Sequence, residues 1–430
     1  MKRKNDGEIS FLGKIFFSIR NLFDRIKEMR LPQRLIAHEK KLAGYDESSP
    51  KESKIAFILG ITRTVALSLL CILLVLSLLL SGSIFSFDSV YYMFKDISYI
   101  SSFSENRPIS LSYSRPFTNQ DFAIFKNGLS VAGDNEIKFF TSTGRVTMTQ
   151  GSEFTNPKVC TSESSVLIYD QGRNTFKVYN SFVCIYSETL EYPISSAHMS
   201  PDGSFCIVTK SEKYGSVVRI YDNKQRLESE FLRNDYIISV DMSSNGKHVA
   251  VVSLDSSEGN SLATLTVLER GKSKTKSSVQ MLDFLPYSAH FSANDRIALI
   301  GSEAAYVYSL NAKLQSEFKY PSALSGMAVC DSGFALLFKN SGQDARFILY
   351  IFGSNGNKVS DHKIDGYVSS IAVNGNHAYL LMDGEVRRID TLFGTVSKRA
   401  FSTDDAELLV LSANEILACT DTAAYYISFN

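Results

Sequence analysis

From residue 108 to the end of the chain, apolar residues gather in short runs that mostly alternate with polar positions, and turn signals close each run. Alternation of period two over four to eight residues is the mark of β-strands. The turn pairs recur at Asn127-Gly128, Glu163-Ser164, Asp202-Gly203, Asn245-Gly246, Asn294-Asp295, Ser332-Gly333, Asn374-Gly375 and Asn414-Glu415. Between first members the intervals are 36, 39, 43, 49, 38, 42 and 40 residues. Asn-Gly and Asp-Gly supply the positive φ that tight hairpins require.

Behind each turn comes an apolar strand (LSVAG, SVLIYD, SFCIVT, HVAVVS, RIALIG, FALLF, HAYLLM, EILACT), then a second such as IKFF, VVRIYD or FILYIF. Most units turn again into a more polar strand such as RLESEFL or LQSEFKY, and an apolar strand such as ISSAHMS or VSSIAVN leads to the next turn. Four strands in about 40 residues make one blade of a β-propeller. The pattern therefore predicts an all-β, eight-bladed propeller over residues 108–430, with seven blades the fallback if the first unit is degenerate. The last unit stops after its third strand, AYYISF. A strand candidate upstream of the first unit, Ile109–Tyr113, would supply the missing outer strand and leave no open edge.

Upstream the pattern changes. Residues 64–87 form an uncharged run of 24, bounded by Arg63 and Asp88. As a helix it reaches about 36 Å, enough for a hydrocarbon core of about 30 Å. A cleaved secretory signal has a shorter apolar run near the start of the chain and an Ala-x-Ala-like exit. Here the run follows 63 residues and ends in Ser-Gly-Ser. Residues 1–63 hold fourteen Lys/Arg, whereas Lys95 is the first basic residue beyond the run. Positive charge stays inside, so the tail is expected in the cytoplasm and the propeller outside. Within the tail, residues 11–31 space Leu12, Ile15, Phe16, Ile19, Leu22, Phe23, Ile26 and Met29 at helical intervals, with Lys14, Arg20, Arg25, Lys27 and Arg30 between them. That is a basic amphipathic helix, fit to lie in an anionic leaflet or to pack on a partner or second copy. The expected organisation is a cytoplasmic tail at 1–54, a transmembrane helix at 55–87, a connector at 88–107 and the extracytoplasmic propeller at 108–430.

Overall charge adds an exclusion: 45 basic residues balance 45 acidic ones among 430, without the basic excess of a nucleic-acid binder. Of six cysteines, Cys71 lies in the uncharged run and five lie beyond it, mostly inside apolar strands and with no Cys-x-x-Cys spacing. They read as small buried residues and not as a disulfide framework.

SPDGSFCIV at 200–208 is similar to the Ser-Pro-Asp-Gly turn of WD40-like repeats, and AYLLMDGEVRRIDTLFGTV at 378–396 resembles repeats of quinoprotein propellers. The layout of basic tail, single span and outer propeller resembles a family of uncharacterised membrane-anchored propeller proteins of Gram-positive bacteria over residues 55–430. That resemblance implies a fold and carries no chemistry to transfer.

Catalytic chemistry is sparse. Quinone-dependent dehydrogenases stack their cofactor between a Trp ring and a vicinal disulfide, and this chain has no Trp and no Cys-Cys pair. The six His show no metal-ligand spacing, and no Gly-x-Ser-x-Gly elbow or phosphate-cradling Gly loop occurs. One constellation stands out. His198 in SSAHMSPDG, Asp241 in ISVDMSSNG and His290 in YSAHFSAND each precede their turn by four residues in three consecutive units. On inner strands they would line the central channel side by side, as a polar wall or as a site for a cation or polar ligand. ERGKSKTKSS at 269–278 reads as an exposed hairpin tip, or as a dock for an anionic wall polymer or another protein. The expected function is a membrane-anchored scaffold binding an envelope protein or glycan, with membrane lipid as its support and no cofactor, metal or nucleic acid. The alternative is an envelope lyase or hydrolase working in the channel.

Overall fold

The computed structural model describes residues 120–429 apart from 258, 273, 341–344 and 404–405, together with Ser68 and Leu69. Its strands form eight antiparallel sheets, each built from consecutive strands in chain order. Seven sheets have four strands and the eighth has three, Glu407–Ser412, Glu415–Cys419 and Ala424–Ser428. Each predicted turn pair joins, or borders the link between, the first and second strands of one sheet, so the repeat in the sequence is the sheet in the fold. Numbered in chain order, these sheets are blades 1–8. The strand candidate Ile109–Tyr113 lies outside the described residues, as do the amphipathic stretch 11–31 and nearly all of the uncharged run. Ser68 and Leu69, within that run, are helical. Among the described residues no helix is long and apolar enough to cross a membrane.

Burial along each blade explains the sequence pattern. Second strands are covered on both faces: Gly128–Gly133 and Val166–Asp170 are buried throughout, and Phe205–Lys210 and Gly333–Lys339 up to their terminal lysines. A strand packed on both sides reads as a continuous apolar run. Outer strands such as Thr275–Leu282 and Leu314–Lys319 alternate exposed with half-buried positions, because one face meets water.

Apolar side chains gather in eight cores, and each core lies between two blades. Leu167, Phe176 and Val178 of blade 2 meet Ile194, Phe205 and Tyr221 of blade 3, and six further interfaces repeat the arrangement. The eighth core joins the ends of the ring: Phe122, Leu129, Val131 and Phe140 of blade 1 pack on Leu417, Cys419 and Ala424 of blade 8. Eight sheets with eight shared cores make a closed eight-bladed ring, which sets aside the seven-bladed fallback. Each large side chain so buried contributes roughly 1.5–3 kcal/mol.

The first strands run side by side on the inner wall. Backbone donors cross from blade to blade there, as where Ala289 N–H reaches Ser239 Oγ at 3.0 Å. Cys206 and Cys419 sit in the cores, while Cys160, Cys184 and Cys330 are half-buried; all five are free thiols.

Candidate functional site: a clasped carboxylate on the inner wall

His198, Asp241 and His290 lie on the inner strands of blades 3, 4 and 5, Ile194–Met199, Tyr236–Met242 and Pro286–Ser292. Their common offset from the turn brings them together. His198 Nε2 lies 2.8 Å from Asp241 Oδ1, and His290 Nδ1 lies 3.0 Å from Oδ2. The backbone completes the set: Met242 N–H donates to Oδ1 at 2.8 Å and Phe291 N–H to Oδ2 at 2.6 Å. Four donors fill the four acceptor positions of one carboxylate.

Asp241 departs from the expected channel lining. It is 2% exposed, turned into the wall beneath the two imidazoles, because its carboxylate collects backbone N–H groups from its own blade and the next. The histidines keep partial exposure. Burial works to raise the Asp241 pKa, but the charge and hydrogen bonds of His198, with those of His290, outweigh it and hold the carboxyl well below its ordinary range. For His198 burial works downward, and the Asp241 carboxylate, with a smaller push from Asp331, turns the net shift upward. His198 Nδ1 also faces Met242 N–H at 3.2 Å. Protonation there leaves that N–H its shorter bond to Asp241. His290 Nε2 is buried and has no hydrogen-bond partner.

What this arrangement does chemically is to tie three blades through one anion. No Ser, Thr or Cys side chain bonds to either imidazole among the described residues, so neither histidine is poised to activate a nucleophile. No metal-binding group of three or more His, Cys, Asp or Glu occurs among them either. A surface hollow at the seam of blades 8 and 1, lined by Gly128, Leu129, Phe140, Leu411, Leu417 and Ala424, holds no titratable side chain and lies away from the clasp.

The sequence reading missed a second feature, at the end of the ring where outer strands hand over to the next inner strands. Tyr236 opens the inner strand of blade 4, Tyr287 follows Pro286 in blade 5, and Tyr367 directly precedes Val368 in blade 7; they are 68%, 47% and 52% exposed. Leu282, Leu285 and Ile238 add exposed apolar surface near this end. The available signal was a tyrosine recurring at the entry of units 4, 5 and 7, in NDYIIS, LPYSAH and DGYVSS.

The match to known proteins is one of family and fold. A family model covers residues 106–426, three quarters of the chain. The chain belongs to DUF5711, a family of unknown function. No relative is found among curated proteins. Among solved structures, the DUF5711 chain is similar to Sqt1 of Saccharomyces cerevisiae, with TM-score 0.56 and 10% identity over 75% of this chain and 99% of that one. BamB from Moraxella catarrhalis aligns with TM-score 0.51 and 10% identity over 73% and 94%. Dihydro-heme d1 dehydrogenase NirN aligns with TM-score 0.51 and 12% identity over 68% and 67%. At such identities the likeness is one of architecture, and propellers with and without enzymatic chemistry share it.

Proposed function

We propose that this DUF5711 protein is a membrane-anchored scaffold whose propeller, held outside the cytoplasmic membrane, docks a protein of the cell envelope at the tyrosine-rich mouth of blades 4–7. The observation that carries the reading is that mouth. Tyr236, Tyr287 and Tyr367 place exposed aromatic surface at one end of the ring, and Leu282 and Leu285 are exposed at the hand-over from blade 4 to blade 5. Exposed apolar patches on a soluble domain mark docking sites, and tyrosine supplies contact area at low entropic cost. The 24-residue uncharged run and the basic tail support the anchor and its orientation. Against an enzyme in the channel stands the clasp, whose carboxylate is saturated and whose imidazoles face no nucleophile.

The test is site-specific photo-crosslinking in intact cells, with the photoreactive residue at Tyr236, Tyr287 or Tyr367 and a control at Leu314, which opens the outer strand of blade 5 at the opposite end of the ring. One envelope protein captured at all three tyrosines, absent from the control and lost when the other two are changed to Ala, supports the reading. A glycan adduct at those positions redirects it from protein to sugar. No adduct at any of the three, or the same adduct at Leu314, overturns the mouth as the docking surface. Protease protection of the tail in intact cells, with the propeller accessible, checks the orientation.

A further inference from the structure

The opposite end of the ring carries a different surface. Neighbouring strands are antiparallel in every blade, so the turns that lead into the outer strands lie at that end. In blades 1, 3, 5 and 6 the outer strand is entered through an exposed basic residue followed by an exposed aliphatic one: Arg145-Val146, Arg226-Leu227, Lys313-Leu314 and Lys358-Val359. Blade 7 puts a wedge there instead. Its turn between Glu385–Asp390 and Val396–Ala400 presents Leu392 and Phe393, 61% and 81% exposed, with Val396 exposed behind them. Phe393 is the most exposed large apolar side chain among the described residues.

The turn is built to hold that wedge in place. Leu392 N–H and Phe393 N–H both donate to Asp390 Oδ1, at 2.9 and 2.8 Å, and Gly394, at φ +67°, donates to the Asp390 carbonyl at 2.9 Å. Neither side chain belongs to any of the eight cores, so packing within the chain does not account for them. Contacts between blades make the edge continuous. Ser316 Oγ on the outer strand of blade 5 donates to the Gly356 carbonyl in the blade 6 turn at 3.1 Å. The blade 7 turn lies beside the outer strand of blade 6, where a Cβ on Gly394 would stand 3.7 Å from His362 Cε1. Leu314, Val359, Leu392, Phe393 and Val396 thus line one edge, with Lys313 and Lys358 among them. The carboxylates of these outer strands are committed, Asp361 to Lys358 at 3.4 Å and Glu317 to Lys319 at 3.8 Å.

The geometry points to this edge of blades 5–7 as a lipid-contact surface, with Leu392 and Phe393 entering the boundary between headgroups and acyl chains and Lys313 and Lys358 meeting the phosphates. Apolar side chains interleaved with lysines are the make-up of interfacial segments, because the lysine stem lies along apolar surface while its ammonium reaches an anionic headgroup. A projecting wedge also suits a surface that deforms around it, whereas a protein anchor needs a pocket already fitted to it. The occupant is tied to the chain itself: residues 88–119 alone separate the uncharged run from the first strand of blade 1, which raises the concentration of bilayer that this edge meets. The inference rests on the membrane anchor proposed above, and it leaves the tyrosine mouth, at the other end of the ring, free for a partner.

The chain contains no tryptophan, so Phe393→Trp places a single reporter at the tip of the full-length protein. In vesicles of phosphatidylcholine and phosphatidylglycerol, that variant should show blue-shifted emission and at least twofold stronger quenching by brominated acyl chains than Tyr236→Trp at the mouth. Adding Lys313→Glu and Lys358→Glu should cut the quenching at least twofold. Equal quenching at the two reporter positions, or none at Phe393→Trp in protein that floats with the vesicles, overturns this proposal and leaves the anchor standing. Protein that does not float with the vesicles overturns the anchor and this proposal with it. A blue shift without bromine quenching, lost as protein per vesicle is lowered, puts a second copy on the edge in place of lipid and overturns it as well. Unchanged quenching in the lysine variant overturns the contact with headgroups.

Discussion

Blades 3–5 and the seam between blades 8 and 1 hold the same kind of ring together by different means. At the seam the contact is apolar, with Leu129, Val131 and Phe140 on one side and Leu417 and Ala424 on the other. One polar link there is long, 3.5 Å from Gln120 Nε2 to the Thr420 carbonyl. Across blades 3–5 comparable apolar cores are supplemented by the Asp241 clasp, whose bonds run between 2.6 and 3.0 Å. Apolar packing closes a ring without specifying angles closely. A saturated carboxylate does specify them, because each donor must arrive at its own lone pair. The seam is thus secured by area and the clasp by direction.

The sharpest way to break the contrast is to remove the anion. Asp241→Ala leaves two imidazoles and Phe291 N–H without their acceptor, and Met242 N–H with only its longer bond to His198 Nδ1, and it should cost about 3–5 kcal/mol. The loss would appear as a lower midpoint in urea unfolding followed by far-UV circular dichroism. An unchanged midpoint would show that the clasp adds nothing beyond its flanking cores. Next comes Leu129→Ala at the seam, expected to cost about 3 kcal/mol from lost burial and the cavity left behind. Its signature should differ, with earlier proteolysis near the two ends of the ring while blades 3–5 stay protected.

The smallest effect separates the two regions by pH. The Asp241 carboxyl is held below its ordinary value of 3.8, so its contribution is present above that value and is lost as pH falls through the depressed one. His198 is shifted above 6.5, so the stability of its charged pairing is complete below 6.5 and fades as pH rises through the raised value. Between those bounds the clasp is strongest. Melting temperature measured across this range should show the maximum in the parent and in Leu129→Ala, and should lose it in Asp241→Ala. A maximum that survives in Asp241→Ala would assign it to other groups.

The eightfold repeat was legible because its cause is local. A second strand covered on both faces must be apolar throughout, as in Val166–Asp170, and the Asn-Gly and Asp-Gly pairs mark where the chain reverses. At one such turn Gly246 has φ +64°, and a Cβ there would run into Ser204 and Asp202 of the neighbouring blade. The alignment of His198, Asp241 and His290 was also legible, from their fixed distance to the turn. That Asp241 faces inward was not, since it depends on Phe291 N–H arriving from 50 residues away. The tyrosine mouth escaped notice because alternation alone does not say which side of an inner strand is left uncovered.

The placement of every core between blades has a consequence for how such a chain can grow or shrink. No single repeat owns a hydrophobic interior; each owns halves of two. Deleting one repeat therefore strands two half-interiors that were shaped for a missing neighbour, and restoring the circle forces every remaining junction to a new angle. Gain or loss of repeats over evolutionary time must then proceed by jumps between whole closed circles, with no stable partial arc as an intermediate.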